Sequence, residues 1–237
     1  PAEVEQFKTE RRFLAKASTV GKELRVLQAI LNRAVALKVI TDNPISIVRA
    51  PKLLDSKPHR FYEAAELVQL YAAAGARAWI WKLLANTGLR RGEALMLRWL
   101  WITDPCLPCL PAGTAAGKGT VRVLSAEDER TKSGKWRELP LSDGAREALA
   151  GRTRDIHVLP RMAPESLSRA FHVDAGRAGL DGSLHNLRHT YISHLVRAGV
   201  ALRTVQLYAG HAHYSTTEGY AYLSPGAAPE QALKLAI

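Results

Sequence analysis

Apolar residues recur every three or four positions between residues 17 and 40, a spacing that places them on one face of a helix. The apolar positions are Leu24, Leu27, Ile30, Leu31, Ala34, Val35 and Leu37. Ser18 or Thr19 is placed to cap the start of this helix. We expect the helix to end near Thr41–Pro44, because the residue before a proline is displaced from helical geometry.

A basic stretch that contains Pro51 and Pro58 follows at residues 46–60 and predicts an extended linker. We place the domain boundary near residue 57, so that residues 1–57 form a helical unit with its linker and residues 58–237 form a second unit. A unit of about 55 residues is short of core. We therefore expect the first unit to be part of a larger helical domain whose beginning lies outside this sequence.

Helical spacing resumes after the linker and is interrupted once by β-like segments. EAAELVQLYAAAG and ARAWIWKLLANTG each end at a glycine, Gly75 or Gly88, suited to a left-handed cap, and a short helix is predicted in GEALMLRW. Between Ile102 and Ser142, TVRVLS and WRELPLS predict a small sheet around a turn at Ser133-Gly134. Further helices are predicted in SDGAREALAG, APESLSRAFHVDAGRAG, HNLRHTYISHLVRAG, LRTVQLYAG and PEQALKLAI. The predicted fold class is mainly α with a small antiparallel β-sheet (α+β).

Positive charge is in excess, with 33 Lys+Arg against 22 Asp+Glu and a formal net charge of +11. This balance favours a polyanionic partner such as DNA, RNA or an anionic membrane surface. A hydrophobic share of 47% and a charged share of 23% exclude disorder along the whole chain. No apolar run approaches the roughly 20 residues of a membrane-spanning helix, and the first residues lack a secretory signal core. We expect a soluble, intracellular protein.

Four local clusters carry candidate chemistry. They are T-G-L-R-R-G-E at 87–93, T-K-S-G-K-W-R at 131–137, H-N-L-R-H-T at 185–190 and G-H-A-H-Y-S-T-T-E-G-Y at 210–220. Their order and content resemble the tyrosine recombinase, or phage integrase, family, and the resemblance extends from about residue 17 to 223. It implies a catalytic domain at residues 58–237 with a C-terminal helix. It also implies that residues 1–57 are part of the family's helical core-binding domain, which clamps DNA.

The resemblance assigns a candidate site residue to each family position. In that family an Arg follows T-G-L, a Lys lies on a β-hairpin, H-x-L-R-H-T supplies a His and an Arg, and a His precedes the nucleophilic Tyr. The matching residues are Arg90, Lys132, His185, Arg188, His211 and Tyr220. Glu93 matches an acidic position of the family and is expected to orient Arg90 or His185.

The chemistry of these residue types fits strand transfer on DNA. Arg90 and Arg188 present planar forks that stay charged and can each donate two hydrogen bonds to a phosphodiester. Tyr220 is the expected nucleophile and, with an ordinary phenol pKa of about 10, needs a base or neighbouring positive charge. His185 is the candidate base. Lys132 is the candidate acid that protonates the departing 5′ oxygen. Neither a metal nor another cofactor is expected.

Several of these residues also have ordinary structural interpretations. Arg90 directly follows a glycine cap, where a helix C-terminus favours cations. Lys132 competes with Lys135 beside the same turn, and we prefer Lys132 because it holds the family's place. His185 and His189 are four residues apart, but a zinc site is not indicated because no third ligand stands at a recognisable spacing.

The remaining ambiguities concern tyrosines and cysteines. Tyr208, Tyr214 and Tyr222 compete with Tyr220, and only the family spacing selects Tyr220. The pair Cys106 and Cys109 lies in a Pro- and Gly-rich segment at 104–119 that is longer than expected between two strands. No second cysteine pair completes a four-thiolate zinc site, so we interpret this pair as incidental.

The resemblance also implies partners. Family members work on double-stranded DNA as homo-tetramers, so we expect a monomer or weak dimer when free, a C-terminal helix that docks on a neighbouring subunit, and accessory DNA-bending proteins. The expected location is the cytoplasm, at the bacterial nucleoid. The alternatives are a type IB topoisomerase-like enzyme that relaxes DNA and a non-catalytic helical DNA-binding protein.

Overall fold

The computed structural model describes residues 2–51, 59–104, 119–123, 136–153 and 155–225. The chain forms two compact units, Pro1–Lys57 and Pro58–Ile237. Within the described residues, none of the helices is both long and apolar enough to cross a lipid bilayer.

The first unit contains two helices, α1 (Ala2–Leu14) and α2 (Ala17–Ala36). Arg11 joins them, because its guanidinium donates to the Glu23 carboxylate at 3.1 and 2.9 Å. The apolar pattern of the sequence did not predict α1, and the reason is physical: α1 buries no residue, so it needs no apolar stripe.

The bounds of α2 correct the sequence prediction at both ends. Its N-cap is Lys16, without a side-chain capping bond, so neither Ser18 nor Thr19 caps it. It ends at Ala36, ahead of the expected stop, because Lys38 adopts a left-handed conformation with φ of 57°. The amides of Lys38 and Val39 then donate to the carbonyls of Val35 and Ala34, both at 2.9 Å. Glycine usually occupies this left-handed position after a helix. The lysine found here therefore did not indicate that the helix ends at this point.

The second unit is mostly helical, as predicted. Its helices are α3 (Ala64–Ala74), α4 (Ala78–Thr87), α5 (Arg91–Met96), α6 (Asp143–Leu149), α7 (Pro164–Arg177), α8 (His185–Arg197), α9 (Leu202–Ala209) and α10 (Tyr214–Glu218). Short 3-10 turns occur at Gly75–Arg77, Trp99–Trp101 and Ala221–Leu223. The predicted last helix at PEQALKLAI lies outside the described residues.

One antiparallel sheet of three strands accompanies these helices: β1 (Ile102–Thr103), β2 (Thr120–Val123) and β3 (Arg137–Pro140). Strand β2 lies in the centre and pairs Val121 with Ile102 on one side and with Leu139 on the other. These three apolar side chains are fully buried, so one face of the sheet packs on the core. The predicted fold class is confirmed, while the turn at Ser133-Gly134 lies outside the described residues.

Helix α4 occupies the centre of the unit and packs against α6 and α8. Its Trp81 is fully buried, and the indole N–H donates to the Asp174 carboxylate at 2.9 Å. Arg77 donates to the same carboxylate, so α4 is anchored to α7 at its start. At its other end, Gly88 has φ of 61°, and a Cβ there would lie 2.3 Å from Cδ1 of Tyr191. The predicted left-handed cap at Gly88 is therefore required both by conformation and by space.

Candidate active site

The end of α9 holds three guanidinium groups side by side. Arg137 Nε donates to the Tyr208 carbonyl at 2.9 Å, Arg90 Nη2 donates to the Gly210 carbonyl at 2.7 Å, and Arg188 Nη2 donates to the Ala209 carbonyl between them. The last carbonyls of a helix have no partner within the helix and carry its partial negative charge. The sequence thus brings cations from three elements to one helix end.

Gly210 makes this close approach possible. It adopts a left-handed conformation with φ of 64°, and a Cβ there would lie 2.9 Å from Arg137 Nη1. A side chain at this position would both strain the backbone and displace the guanidinium. The glycine therefore ends α9 and leaves room for the arginines.

A buried carboxylate, Glu93, ties two of these arginines together. Its oxygens accept from Arg137 Nη1 and Nη2 at 2.9 and 2.7 Å, and from Arg90 Nη1 at 2.8 Å. The Arg90 backbone N–H also donates to it at 2.8 Å. Burial opposes the charge of Glu93, but the arginine hydrogen bonds and charges outweigh it and lower its pKa to about 2. Glu93 orients Arg90 and Arg137, and it makes no hydrogen bond to His185 within the described residues.

Among the residues that the structure describes, Arg90 and Arg188 have no partner for some of their N–H donors. A guanidinium carries five N–H groups. Arg90 uses two on Glu93 and Gly210, and its side chain is 43% exposed. Arg188 is only 2% exposed and uses two on Ala209 and on the Gly88 carbonyl, the latter at 2.7 Å. Burial and the nearby Arg90 charge lower the pKa of Arg188 to about 10. An anion at this place would relieve the repulsion between the two cations.

The Tyr220 phenol lies among histidines. Its hydroxyl is hydrogen-bonded to His189 Nδ1, and the residue is 1% exposed. His59 stacks on the Tyr220 ring at 5.1 Å between centroids and on the His189 ring at 4.4 Å. Burial raises the pKa of Tyr220 to about 12, against the opposing effect of the Arg188 charge. In this arrangement the phenol is neutral at physiological pH.

His185 and His211 flank this group. The His185 ring is exposed and meets His189 edge-on at 4.7 Å. Partial desolvation and the charges of Arg188 and Arg90 lower the pKa of His185. His211 Nδ1 is hydrogen-bonded to the hydroxyl of buried Thr217 at 2.9 Å. Burial and the same arginines lower the pKa of His211 to about 4. Thr217 belongs to α10, so His211 ties the end of α9 to the helix that leads into Tyr220.

A model of the phage integrase family matches residues 60–226 of the chain. The chain belongs to this family. The match covers every motif that carries the candidate site, from T-G-L-R to the segment that ends at Tyr220.

Curated relatives of this phage integrase chain include bacterial Xer recombinases. Tyrosine recombinase XerC of Rhodospirillum centenum is 33% identical over 203 aligned positions, and the alignment covers 75% of this chain and 54% of that protein. Tyrosine recombinase XerD of Shewanella oneidensis is 26% identical over 92% of this chain and 74% of its own length. The chain thus spans about half of that XerC and about three quarters of that XerD.

Solved structures share the fold. A lambda integrase dimer bound to a COC′ core site superposes with a TM-score of 0.69 over 93% of this chain and 63% of the integrase, at 19% identity. XerA recombinase superposes with a TM-score of 0.57 over 100% of this chain and 84% of its own, at 22% identity.

The structure of this phage integrase chain brings together five of the six predicted site residues: Arg90, His185, Arg188, His211 and Tyr220. Lys132 lies outside the described residues, as do Cys106 and Cys109. The sequence motifs did not identify Arg137, His189 and His59 as members of the site. His189 is within H-N-L-R-H-T, but its partner Tyr220 is 31 residues away, and no spacing rule pairs them. The described residues hold no group of three or more His, Cys, Asp or Glu side chains suited to a metal ion.

The Glu93 ion pairs predict a specific acid sensitivity. Its folded pKa of about 2 lies below the ordinary value of 4.5, so its contribution to stability is complete above pH 4.5 and is lost as pH falls toward 2. At pH 7, Glu93→Gln should lower the free energy of unfolding by on the order of 3 kcal/mol. Chemical denaturation at pH 7, 5 and 3 should show the difference from wild type narrowing as the pH falls.

The matched control for this measurement is Glu165→Gln. Glu165 has a side chain that is 71% exposed and pairs with Arg91 at 3.6 Å. Its substitution should leave the free energy of unfolding within about 0.5 kcal/mol of wild type at every pH. A Glu93→Gln difference that stays constant between pH 7 and 3 would contradict the ion-pair assignment.

Proposed function

We propose that this chain is a site-specific tyrosine recombinase that cuts and rejoins double-stranded DNA through a 3′-phosphotyrosine on Tyr220. The observation that carries the proposal is that Arg90 and Arg188 lie beside each other at the end of α9. Close to them, the Tyr220 hydroxyl is hydrogen-bonded to His189. An attack on a phosphodiester requires cationic donors that bind the phosphate oxygens and a nucleophile, here the phenol oxygen.

Arg90 and Arg188 would bind the non-bridging oxygens of the scissile phosphate. Charge on those oxygens grows as a fifth oxygen approaches phosphorus, so donors held in place beforehand stabilise the transition state more than the ground state. One such donor contributes about 3 kcal/mol. Glu93 and Arg137 would not touch DNA, and would hold the Arg90 fork in its orientation.

The reaction replaces one phosphodiester by another. The Tyr220 oxygen forms a bond to phosphorus and loses its proton to a base, while the bond from phosphorus to the 5′ oxygen breaks and that oxygen takes a proton from Lys132. Because the phosphotyrosine retains an ester bond to phosphorus, a 5′ hydroxyl from another strand can reverse the step. Strand transfer on this scheme draws no energy from a nucleotide.

The expected partners of this chain are double-stranded DNA and further copies of itself. The net charge of +11 suits DNA, and each phosphate contact should cost about 0.9 log unit of affinity per log unit of salt. One solved relative is a lambda integrase tetramer on a Holliday junction, and we propose that this chain also assembles as a tetramer on two DNA sites. The C-terminal residues would dock on a neighbouring subunit, and accessory DNA-bending proteins would direct the assembly. Such an enzyme would act in the cytoplasm, at the nucleoid.

Covalent trapping tests the proposal even though the target sequence is not specified in advance. Wild-type protein is incubated with a pool of labelled duplexes that carry a randomised core and a nick, so that the released short strand diffuses away. A denaturing gel should show a protein–DNA adduct, and mass spectrometry of its peptides should place the nucleotide on Tyr220. A shift in a native gel with no adduct under denaturing conditions would make the chain a DNA-binding protein without this activity.

The sequences recovered from the adduct separate recombination from relaxation. Two labelled duplexes that carry the recovered site should yield recombinant strands, and this yield should fall when one duplex lacks the site. Relaxation of a supercoiled plasmid with no recombinant strand would instead assign the chain to topoisomerase-like chemistry.

A further inference from the structure

We infer that Thr217 is a positioning residue, whose buried hydroxyl holds the His211 ring so that its Nε2–H can donate to the scissile phosphate. This inference rests on the proposed function and deepens it, because the sequence motifs assigned no role to Thr217. Thr217 lies in α10, between His211 and Tyr220 along the chain. It would act on the reaction through His211 and would not touch DNA itself.

The His211 ring lies beside the arginines that would bind the phosphate. His211 directly follows Ala209 and Gly210, whose carbonyls accept from Arg188 and Arg90. Burial, followed by the charges of Arg188 and Arg90, lowers the pKa of His211 to about 4. The ring is therefore neutral at physiological pH and close to the place where these arginines would hold an anion.

The backbone of His211 is held by Gln206 of α9. The His211 amide donates to the Gln206 carbonyl at 3.2 Å, and the Gln206 side-chain amide donates to the His211 carbonyl at 3.1 Å. Gln206 is itself buried and accepts from Arg203 at 2.6 Å. Rotation of the His211 ring remains free, and the hydrogen bond of 2.9 Å between Nδ1 and the Thr217 hydroxyl restricts it.

The burial of Thr217 decides the direction of this hydrogen bond. A neutral imidazole has one donor and one acceptor nitrogen. Thr217 is fully buried, and His211 Nδ1 is the only hydrogen-bond partner of its hydroxyl within the described residues. If Nδ1 carried the ring proton, the hydroxyl would accept it and its own hydrogen would be buried without a partner, which is costly. The hydroxyl therefore donates to Nδ1, and the ring proton lies on Nε2.

Nε2 is then the nitrogen that is available to a substrate. Within the part of the chain that the structure describes, His211 makes its side-chain hydrogen bond through Nδ1 alone. An N–H group held beside a phosphate oxygen stabilises the charge that grows there in the transition state. The opposite tautomer would present a bare nitrogen to that oxygen, and their lone pairs would repel. Thr217 thereby selects the tautomer that can bind the phosphate.

Thr217 also supports the nucleophile, but through its backbone. Its carbonyl accepts from the Tyr220 amide at 3.0 Å. Thr217→Val nearly keeps the shape of the side chain, leaves this carbonyl in place and removes the hydroxyl. The variant therefore separates the hold on His211 from the support of Tyr220.

The test is single-turnover formation of the covalent adduct at pH 7, on a nicked duplex recovered in the trapping experiment. Thr217→Val should form the adduct about tenfold more slowly than wild type, a part of the roughly 100-fold that one fixed donor contributes. Thr217→Ser keeps the hydroxyl and should recover most of the rate. In His211→Ala the donor itself is gone, so the addition of Thr217→Val should cause no further loss.

The matched control is Thr216→Val, which removes the hydroxyl of an exposed threonine on the same helix and should keep the full rate. A long-range nitrogen–proton NMR spectrum of histidine-labelled wild-type protein should show the His211 ring proton on Nε2. The His211 signals are assigned by their absence in His211→Ala. This spectrum requires no DNA, so it tests the hydrogen bond independently of the reaction. If Thr217→Val does not fold, Thr217→Ala takes its place in every comparison.

Three results would overturn the inference. They are a wild-type rate in Thr217→Val, a Thr217→Ser variant as slow as Thr217→Val, and a loss that is equally large in the His211→Ala background, since that loss would not pass through His211. A His211 ring proton on Nδ1 would overturn it as well. Failure of wild-type protein to form any adduct, with the proton on Nε2, would instead overturn the proposed function and leave Thr217 as the residue that sets the His211 tautomer.

Discussion

Tyr220→Phe is expected to abolish the covalent protein–DNA adduct, because the substitution removes the only atom that would bond to phosphorus. The ring stays, so its packing in the core and under His59 is retained. The hydrogen bond to His189 is lost, at a cost of about 1 kcal/mol in stability. The measurement is adduct yield on the nicked substrate in a denaturing gel, with native-gel binding to show that DNA is still held.

Tyr222→Phe is the matched control for this experiment. Tyr222 lies two residues later, is 52% exposed, and is the tyrosine that a small error in the assigned spacing would select. Its substitution should leave the adduct yield unchanged. An adduct that persists in Tyr220→Phe, or that disappears in Tyr222→Phe, would show that the nucleophile has been misassigned.

Arg188→Lys is expected to slow single-turnover adduct formation by about 100-fold or more, although the positive charge is kept. A lysine presents one ammonium group and cannot fork between the Gly88 and Ala209 carbonyls while also facing a phosphate. Part of the effect will appear in stability, because Arg188 is buried and the two carbonyls lose a partner. The rate is therefore compared at a temperature where circular dichroism shows the variant folded.

The control on the same helix is Arg197→Lys. Arg197 has a side chain that is 43% exposed and pairs with Glu63 at 2.7 Å at the surface. We expect its rate of adduct formation to stay within about twofold of wild type. A rate for Arg188→Lys near that of the Arg197 variant would remove Arg188 from the chemistry.

Local patterns predicted much of the fold. The apolar stripe of α2, the cap at Gly88 and the alternating segment of β2 each express a preference of a few neighbouring residues, and each of these elements is present in the structure. The predictions failed at elements whose structure does not depend on a preference of neighbouring residues. Helix α1 buries nothing, and the end of α2 depends on a lysine in a conformation that few lysines adopt.

The residues of the candidate site also fall into two groups, those that sequence motifs identified and those that they did not. Arg90, Arg188 and Tyr220 stand in motifs whose spacing could be seen along the chain. Arg137 and His59 could not be found like this, because their importance comes from partners far away in sequence. Arg137 meets Glu93 across 44 residues and the Tyr208 carbonyl across 71, and only the folded chain brings them together.

The arginine cluster is held by backbone oxygens of Tyr208, Ala209 and Gly210, and two of these residues carry side chains that take no part in the attachment. Replacing the side chain of a residue does not remove its backbone carbonyl. The attachment of the arginines therefore does not depend on the side chains at positions 208 and 209, although packing still limits position 209, because Ala209 is only 1% exposed in the core. Gly210 differs from both, since any side chain there would clash with the Arg137 guanidinium.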